Sequence, residues 1–367
     1  MPAIAPALLE YWLREYYFDA QYDLSSSGVE DFSVAELKQL IGLDLNSFND
    51  LVFHDSPALG SEPLRHAIAK HYNGSAQNVM VGNGSSEVIF LLMNALLKAG
   101  DEIVVVEPCY PALRQIAASI GCEVKDWNLH FEDQFEPDLN RLASLLTDKT
   151  KMVVINFPHN PTGASLSHQQ QQELVDLVSK TDAYLVWDAV FVDINHAEPL
   201  QDFHQLYEKT ISIGTLSKAY GLPGIRVGWA FAPDEVLKQC VHWRDYITIC
   251  LSPLIDGIAT HVMQHAKTLI DLRQQQAETN LSIVSAWMNA HQDYVQWIPS
   301  KGGVSSFPRF TQVDDIETFC RDLMEQENVL LAPGTCFGHQ QHVRLGFGAA
   351  TETLQGGLDR LSQFLQR

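Results

Sequence analysis

Apolar positions change their period several times along this chain, and the changes outline its architecture. Ser61 reads as a helix N-cap, after which Leu64, Ile68 and Ala69 share one helical face. A strand then ends near Val81, a glycine-rich turn runs from Gly82 to Gly84, and a helix carries Val88, Leu91, Leu92 and Leu96. Ile103–Val106, Met152–Ile155, Tyr184–Trp187, Ile211–Ile213 and Val227–Phe231 are short, mostly apolar runs with β-branched residues. Such runs, alternating with helical patterns, predict a mostly parallel sheet covered by helices on both faces. After Pro233 the pattern changes. A long helical stretch covers most of Leu254–Ala290, followed by shorter signals at Gly303–Pro308, Asp315–Glu327, Val329–Leu331, Val343–Phe347 and Thr353–Leu365. The expected class is α/β, with a large domain over 35–250 and a smaller α+β domain built from 1–34 and 251–367.

Composition supports this picture and narrows the partners. A chain of 367 residues suits two closely associated domains, and 46% hydrophobic residues can fill a sizeable interior. The formal charge of −21, from 45 acidic and 24 basic residues, disfavours nucleic acid and anionic membrane as partners. It would suit a cationic substrate, although a solvated acidic surface accounts for the same charge. The opening segment lacks a basic start and reaches Glu10 early, unlike a signal peptide. No apolar run approaches the roughly 18 residues of a membrane span. The six cysteines show no short zinc or redox spacing and read as reduced core residues, with no metal expected. A cytoplasmic protein is expected.

The candidate chemistry centres on ISIGTLSKAYGLPGIRVGW, Ile211–Trp229. A lysine just after a buried strand, among small hydroxyl residues and glycines, is a poor structural choice, because a buried ammonium is costly. Desolvation lowers the pKa of such a lysine and leaves a nucleophilic amine, as imine chemistry with an aldehyde cofactor requires. Lys218 is that amine. Thr215 and Ser217 offer hydroxyls, and Arg226 offers a fork for a phosphate dianion. The bland alternative, an exposed lysine on a glycine-rich loop, does not explain the whole string. In VGNGSSE, Gly84, Ser85 and Ser86 stand where a strand gives way to a helix, whose free N–H groups attract phosphate. NFPHNPTG presents the Asn160 amide after a strand, with Pro161 fixing the turn. LVWDAVF ends an apolar strand on Asp188, which is either a cap or ion-pair partner, or the group that keeps a pyridine nitrogen protonated. Tyr110, in EPCYPAL, is either core or a stacking platform.

On these strings the chain resembles the fold-type I pyridoxal 5′-phosphate (PLP) enzymes of the class I/II aminotransferase superfamily over nearly its whole length. The resemblance implies PLP as a Schiff base on Lys218, with Asp188 on the pyridinium, Asn160 on the ring hydroxyl and Tyr110 on the ring face. It implies phosphate binding by Ser85, Ser86, Thr215, Ser217 and Arg226 beside Gly84. It also implies that Arg344, in HVRLGFG, holds the substrate carboxylate, and that sites lie between the subunits of a homodimer.

Two positions depart from that pattern. Where the superfamily usually has a tyrosine three residues after the aspartate, this chain has Phe191, which should raise the pKa of the Lys218 imine. Five residues before Gly60, where many relatives place a phosphate-binding tyrosine, stands Asp55. The segment LLEYWLREYYFDAQYDLSSSGV (Leu8–Val29) and the run RDYITICLSPL (Arg244–Leu254) resemble those of capreomycidine synthase and related PLP enzymes that cyclise hydroxylated arginines. That branch implies a cyclodehydratase giving a capreomycidine- or enduracididine-type amino acid for a specialised metabolite. Glu10 and Asp55 become candidates for the guanidinium, with Ser25, Ser26, Ser27, Gly28 and Asn160 on the substrate side. Glu10 on the outside of a short amphipathic helix, and Asp55 as a loop or capping residue, are the plain alternatives. An ordinary aminotransferase is the competing function. A non-catalytic sensor would lack the lysine or carry a fused DNA-binding segment, and neither is seen.

Overall fold

Seven strands form the central sheet of the computed structural model, which describes residues 4–367. In chain order they are β1 (Val79–Gly82), β2 (Glu102–Glu107), β3 (Glu123–Asn128), β4 (Thr150–Asn156), β5 (Tyr184–Asp188), β6 (Thr210–Thr215) and β7 (Gly228–Phe231). Their spatial order is β1-β7-β6-β5-β4-β2-β3. Pairing is parallel from β6 to β3, and β7 lies antiparallel to both β6 and β1.

Alternation along each strand sends side chains to two cores. Ile103, Val105, Met152 and Val154 meet Ile89, Leu92 and Met93 of the helix Ser85–Leu96 on one face. Val104, Val106, Val153 and Ile155 meet Leu174 and Val178 of the helix His168–Ser179 on the other. Burial on both faces explains why these strands read as unbroken apolar runs. Strand β3 escaped that reading. As an edge strand it is mostly polar (EVKDWN) and buries only Trp127 fully.

The N-terminal and C-terminal segments are interwoven. Tyr22–Asp23 pairs in parallel with Val329–Leu330, and the Leu24 carbonyl accepts from the Gly346 N–H at 2.7 Å. Ser305–Ser306, Val343–Gly346 and Ala332–Pro333 form a second, antiparallel sheet. The expected long helix is two helices, Pro253–Gln264 and Ala266–Ala290, which meet at His265. Apolar positions continue through His265, so periodicity alone hides the break. The core around the second helix takes Leu24, Leu345 and Leu358 together with Leu64, Ile68 and Trp229 from the large-sheet side.

The six cysteines are all free, and three of them (Cys122, Cys250 and Cys336) are half-buried rather than core residues. Among the described residues no helix is long and apolar enough to cross a membrane.

Candidate active site

The carboxyl ends of β4, β5 and β6 open into a cavity of about 500 Å³, where open α/β sheets offer ligand sites. Register brings its floor together: Asn156, the last residue of β4, lies beside Asp188, the last residue of β5. The Asn156 side chain donates to the Asp188 carbonyl at 2.8 Å and accepts from the Asn160 N–H at 2.8 Å. One buried amide thus fixes the positions of two candidate residues. Asn156 opens the NFPHNPTG motif, but a side chain that acts only through its neighbours leaves no mark in periodicity.

Asp188 and Lys218 both line the cavity, and each is driven toward its neutral form. Burial raises the Asp188 carboxyl to about 7, opposed by the Val190 N–H and by Lys218. Burial likewise lowers the Lys218 amine to about 8; Arg344 pushes in the same direction, while Glu10 and Asp188 oppose it. Lys218 Nζ donates to Ser27 Oγ at 3.0 Å.

One end of the cavity is built for an anion. The helix Ser85–Leu96 starts there with its first N–H groups unpaired within the helix. Gly84, at φ +83°, closes the approach: a Cβ on it would stand 2.3 Å from Arg226 Nη2. A Cβ on Gly228 would stand 2.3 Å from the Ser85 nitrogen, so both glycines are needed for the close fit. Arg226 adopts a left-handed backbone (φ 53°) and is anchored by donating to the Pro223 carbonyl at 3.0 Å. Ser85, Ser86 and Ser217 line the same end. Thr215 does not; its buried hydroxyl sits 3.1 Å from Ser217 Oγ and accepts from the Ser217 N–H at 3.2 Å.

The cavity is also lined by Arg344, Asn160, Tyr110 and Glu10. Arg344, 2% exposed, donates from Nε to the Ser25 carbonyl at 2.9 Å and from Nη1 to Asn160 Oδ1 at 3.2 Å. Burial lowers its guanidinium to about 10. The Tyr110 hydroxyl donates to Glu10 Oε1 at 3.3 Å, and burial with the Glu10 charge raises that phenol to about 12. Glu10 is therefore turned into the cavity, by a helix (Leu8–Tyr16) whose Leu9 and Leu13 also line it. Those two leucines, with Ile89, Val190 and Pro223, were not singled out in the sequence, where they read as ordinary core positions. Phe191 lines the cavity with no hydroxyl to offer.

The serine loop divides. Ser27 lines the cavity. Ser25 is spent on Asp23, donating from N and Oγ at 2.8 and 2.6 Å, and Ser26 Oγ accepts the Gly28 N–H at 3.1 Å. Gly28 packs closely on the lysine turn, where a Cβ would meet the Ser217 carbonyl at 3.3 Å. Asp55 is exposed and outside this cavity, with Cys250 Sγ 3.9 Å from its Oδ1.

Comparison with known proteins identifies the family and its fold. Residues 52–361 match the family model of aminotransferase class I and II. The chain is 41% identical to capreomycidine synthase of Streptomyces vinaceus, over 99% of this chain and 94% of that one. It is 26% identical to an aspartate aminotransferase of Musicola paradisiaca, over 93% and 88%. Among solved structures, the PLP-dependent cyclase OrfR superposes with a TM-score of 0.94 at 41% identity, covering 100% of this chain and 98% of that one. A PLP-dependent aminotransferase from Streptococcus suis superposes at 0.95 with 31% identity, covering 100% and 99%.

Proposed function

Because the chain belongs to the aminotransferase class I and II family, with its fold-type I architecture and PLP cofactor, we propose that it is a cyclodehydratase of a hydroxy-L-arginine. The product is a cyclic guanidine amino acid of the capreomycidine or enduracididine type. The cavity fits the cofactor: one end suits the phosphate, Lys218 is a depressed amine, and Asp188 is a buried carboxyl that a cationic ring nitrogen would ionise. With its oxygen on Arg344, the Asn160 amide keeps its N–H groups for the ring oxygen. Tyr110 supplies a ring face, and the anion end of Ser85, Ser86, Ser217 and Arg226 holds the phosphate. When bound, PLP supplies the electron sink that makes an α-proton removable.

The chain's residues then divide the work. Arg344 pairs with the substrate carboxylate, and Lys218 takes the α-proton. A β-hydroxyl can leave at once, and a γ-hydroxyl after loss of a β-proton. The substrate's guanidine closes on the carbon that lost the oxygen. Glu10 is the observation that carries the substrate class, because it brings a carboxylate into the cavity that holds Arg344. A guanidinium satisfies it, whereas an acidic side chain would be repelled. Phe191 further separates the site from the aminotransferase pattern, although the same lysine and aspartate would serve amino transfer.

The test is to offer β-hydroxyarginine, γ-hydroxyarginine and arginine separately to the purified enzyme, without any 2-oxo acid. Loss of one water from one hydroxyarginine supports the reading; release of a 2-oxo acid, or no reaction, contradicts it. A charge-assisted hydrogen bond contributes about 1.5–3 kcal/mol. Glu10→Gln is therefore expected to raise the hydroxyarginine KM about 10- to 100-fold. An unchanged KM removes Glu10 from the substrate site.

The proposed homodimer rests on an apolar face around Asp55. Phe53 (73% exposed), Trp243 (42%), Tyr246 (91%) and Ile249 (54%) stand on adjoining segments, which Arg244 joins by donating to the Ala58 carbonyl. Exposed aromatics in such a group suit a second copy, which would cover them and carry Asp55 toward a neighbouring site. Light scattering is expected to give the mass of a dimer, and a monomer mass contradicts this assembly.

A further inference from the structure

Departure of a hydroxyl needs a proton donor, and the residues considered so far supply none at the leaving oxygen. Lys218 acquires a proton when it takes one from carbon, and that proton has to be carried to the departing oxygen. Among the described residues its amine is the hydrogen-bond partner of the Ser27 hydroxyl, with Nζ donating to Oγ at 3.0 Å. A serine hydroxyl has one proton, and while its oxygen accepts from Lys218 that proton is free to point elsewhere. Ser27 is 3% exposed and lines the cavity, so elsewhere means toward the substrate. The loop holds it there: Ser25 is tied to Asp23 and the Val29 N–H donates to the Lys218 carbonyl at 3.2 Å.

We infer that Ser27 is a catalytic proton relay, which passes the proton gained by Lys218 to the leaving hydroxyl of the substrate. The inference rests on the cyclodehydratase reading and gives that reaction its general acid. For a β-hydroxyl, Lys218 takes the α-proton. The electron pair left at the α-carbon forms the Cα–Cβ double bond as the Cβ–O bond breaks. The oxygen departs with its bonding pair, takes the Ser27 proton and leaves as water; Ser27 regains a proton from the Lys218 ammonium, which returns to the amine. For a γ-hydroxyl, a β-proton travels the same route. No oxidant or reductant is consumed.

Two reactions of the PLP-loaded enzyme separate the relay from mere positioning of Lys218. Exchange of the arginine α-proton with solvent deuterium, followed by NMR, needs Lys218 and no leaving group. Water loss from hydroxyarginine needs both. Ser27→Ala is expected to keep α-exchange within a few-fold of wild type and to slow water loss about 100-fold, within the range of general acid catalysis. Ser27→Thr, which keeps a hydroxyl, is expected to restore most of it. The visible spectrum and bound-cofactor stoichiometry of Ser27→Ala should equal wild type. Equal losses in both reactions, or no loss of water elimination, overturn the relay while leaving the enzyme's function intact. Wild type that exchanges the α-proton but releases no water overturns the function and the relay with it.

Discussion

Lys218→Ala is expected to lower turnover by about 10⁴-fold or more, because one amine both holds the cofactor and moves the substrate proton. A buried lysine with its amine lowered to about 8 is partly deprotonated near physiological pH, which suits both tasks. The phosphate end does not involve the Lys218 amine: Gly84, Ser85 and Arg226 pack against one another through backbone and guanidinium. The variant should therefore still bind PLP, without the visible imine band and without a borohydride-stable adduct at position 218. Lys218→Arg keeps the charge and should fail equally, since a guanidinium is not a nucleophile at this pH. Activity above about one part in a hundred in either variant contradicts the role assigned to this amine.

Asp188→Asn carries the second-largest effect, a loss of about 10³-fold, because the amide keeps the shape of the carboxylate and loses the charge that would hold the ring nitrogen protonated. The same substitution has a signature in the cofactor-free protein. The folded pKa of Asp188, about 7, lies above its ordinary 3.8, so the folded chain holds a proton that the unfolded chain releases. Stability from this group is fully present below pH 4, is lost as pH rises toward 7, and is gone above it. A shift of that size amounts to on the order of 4 kcal/mol. The cofactor-free Asp188→Asn variant should therefore melt higher than cofactor-free wild type at pH 8, and the two should converge near pH 4. Loaded wild type should lack this pH dependence, since the ring nitrogen partners the carboxylate. Parallel melting profiles of the two cofactor-free proteins across that window contradict a carboxyl at Asp188 that burial holds protonated.

Much of this site was legible because its residues sit at breaks in strong patterns. Asp188 interrupts an apolar strand, Lys218 follows another, and Gly84 punctuates a strand-to-helix turn; each is a local conflict between residue and environment. The helix carrying Glu10 was legible as amphipathic, but which way the glutamate faces depends on Tyr110, a hundred residues away. The grip of Arg344 on the Ser25 carbonyl spans 319 residues, and Asn156 acts through the register of β4 against β5. Contacts of that kind arise from tertiary packing, which no period in the sequence encodes. Strand β3 and the break at His265 were hidden for a related reason: an edge strand need not be apolar, and two successive helices can share one apolar pattern.

The difference between cyclisation and amino transfer can be read in one vessel. Wild-type enzyme is given hydroxyarginine bearing a heavy-nitrogen label on its α-amino group, together with 2-oxoglutarate, and the products are resolved by mass spectrometry. Cyclisation gives a product one water lighter than the substrate that keeps the label. Label appearing in glutamate, beside an unlabelled 2-oxo acid, would contradict it.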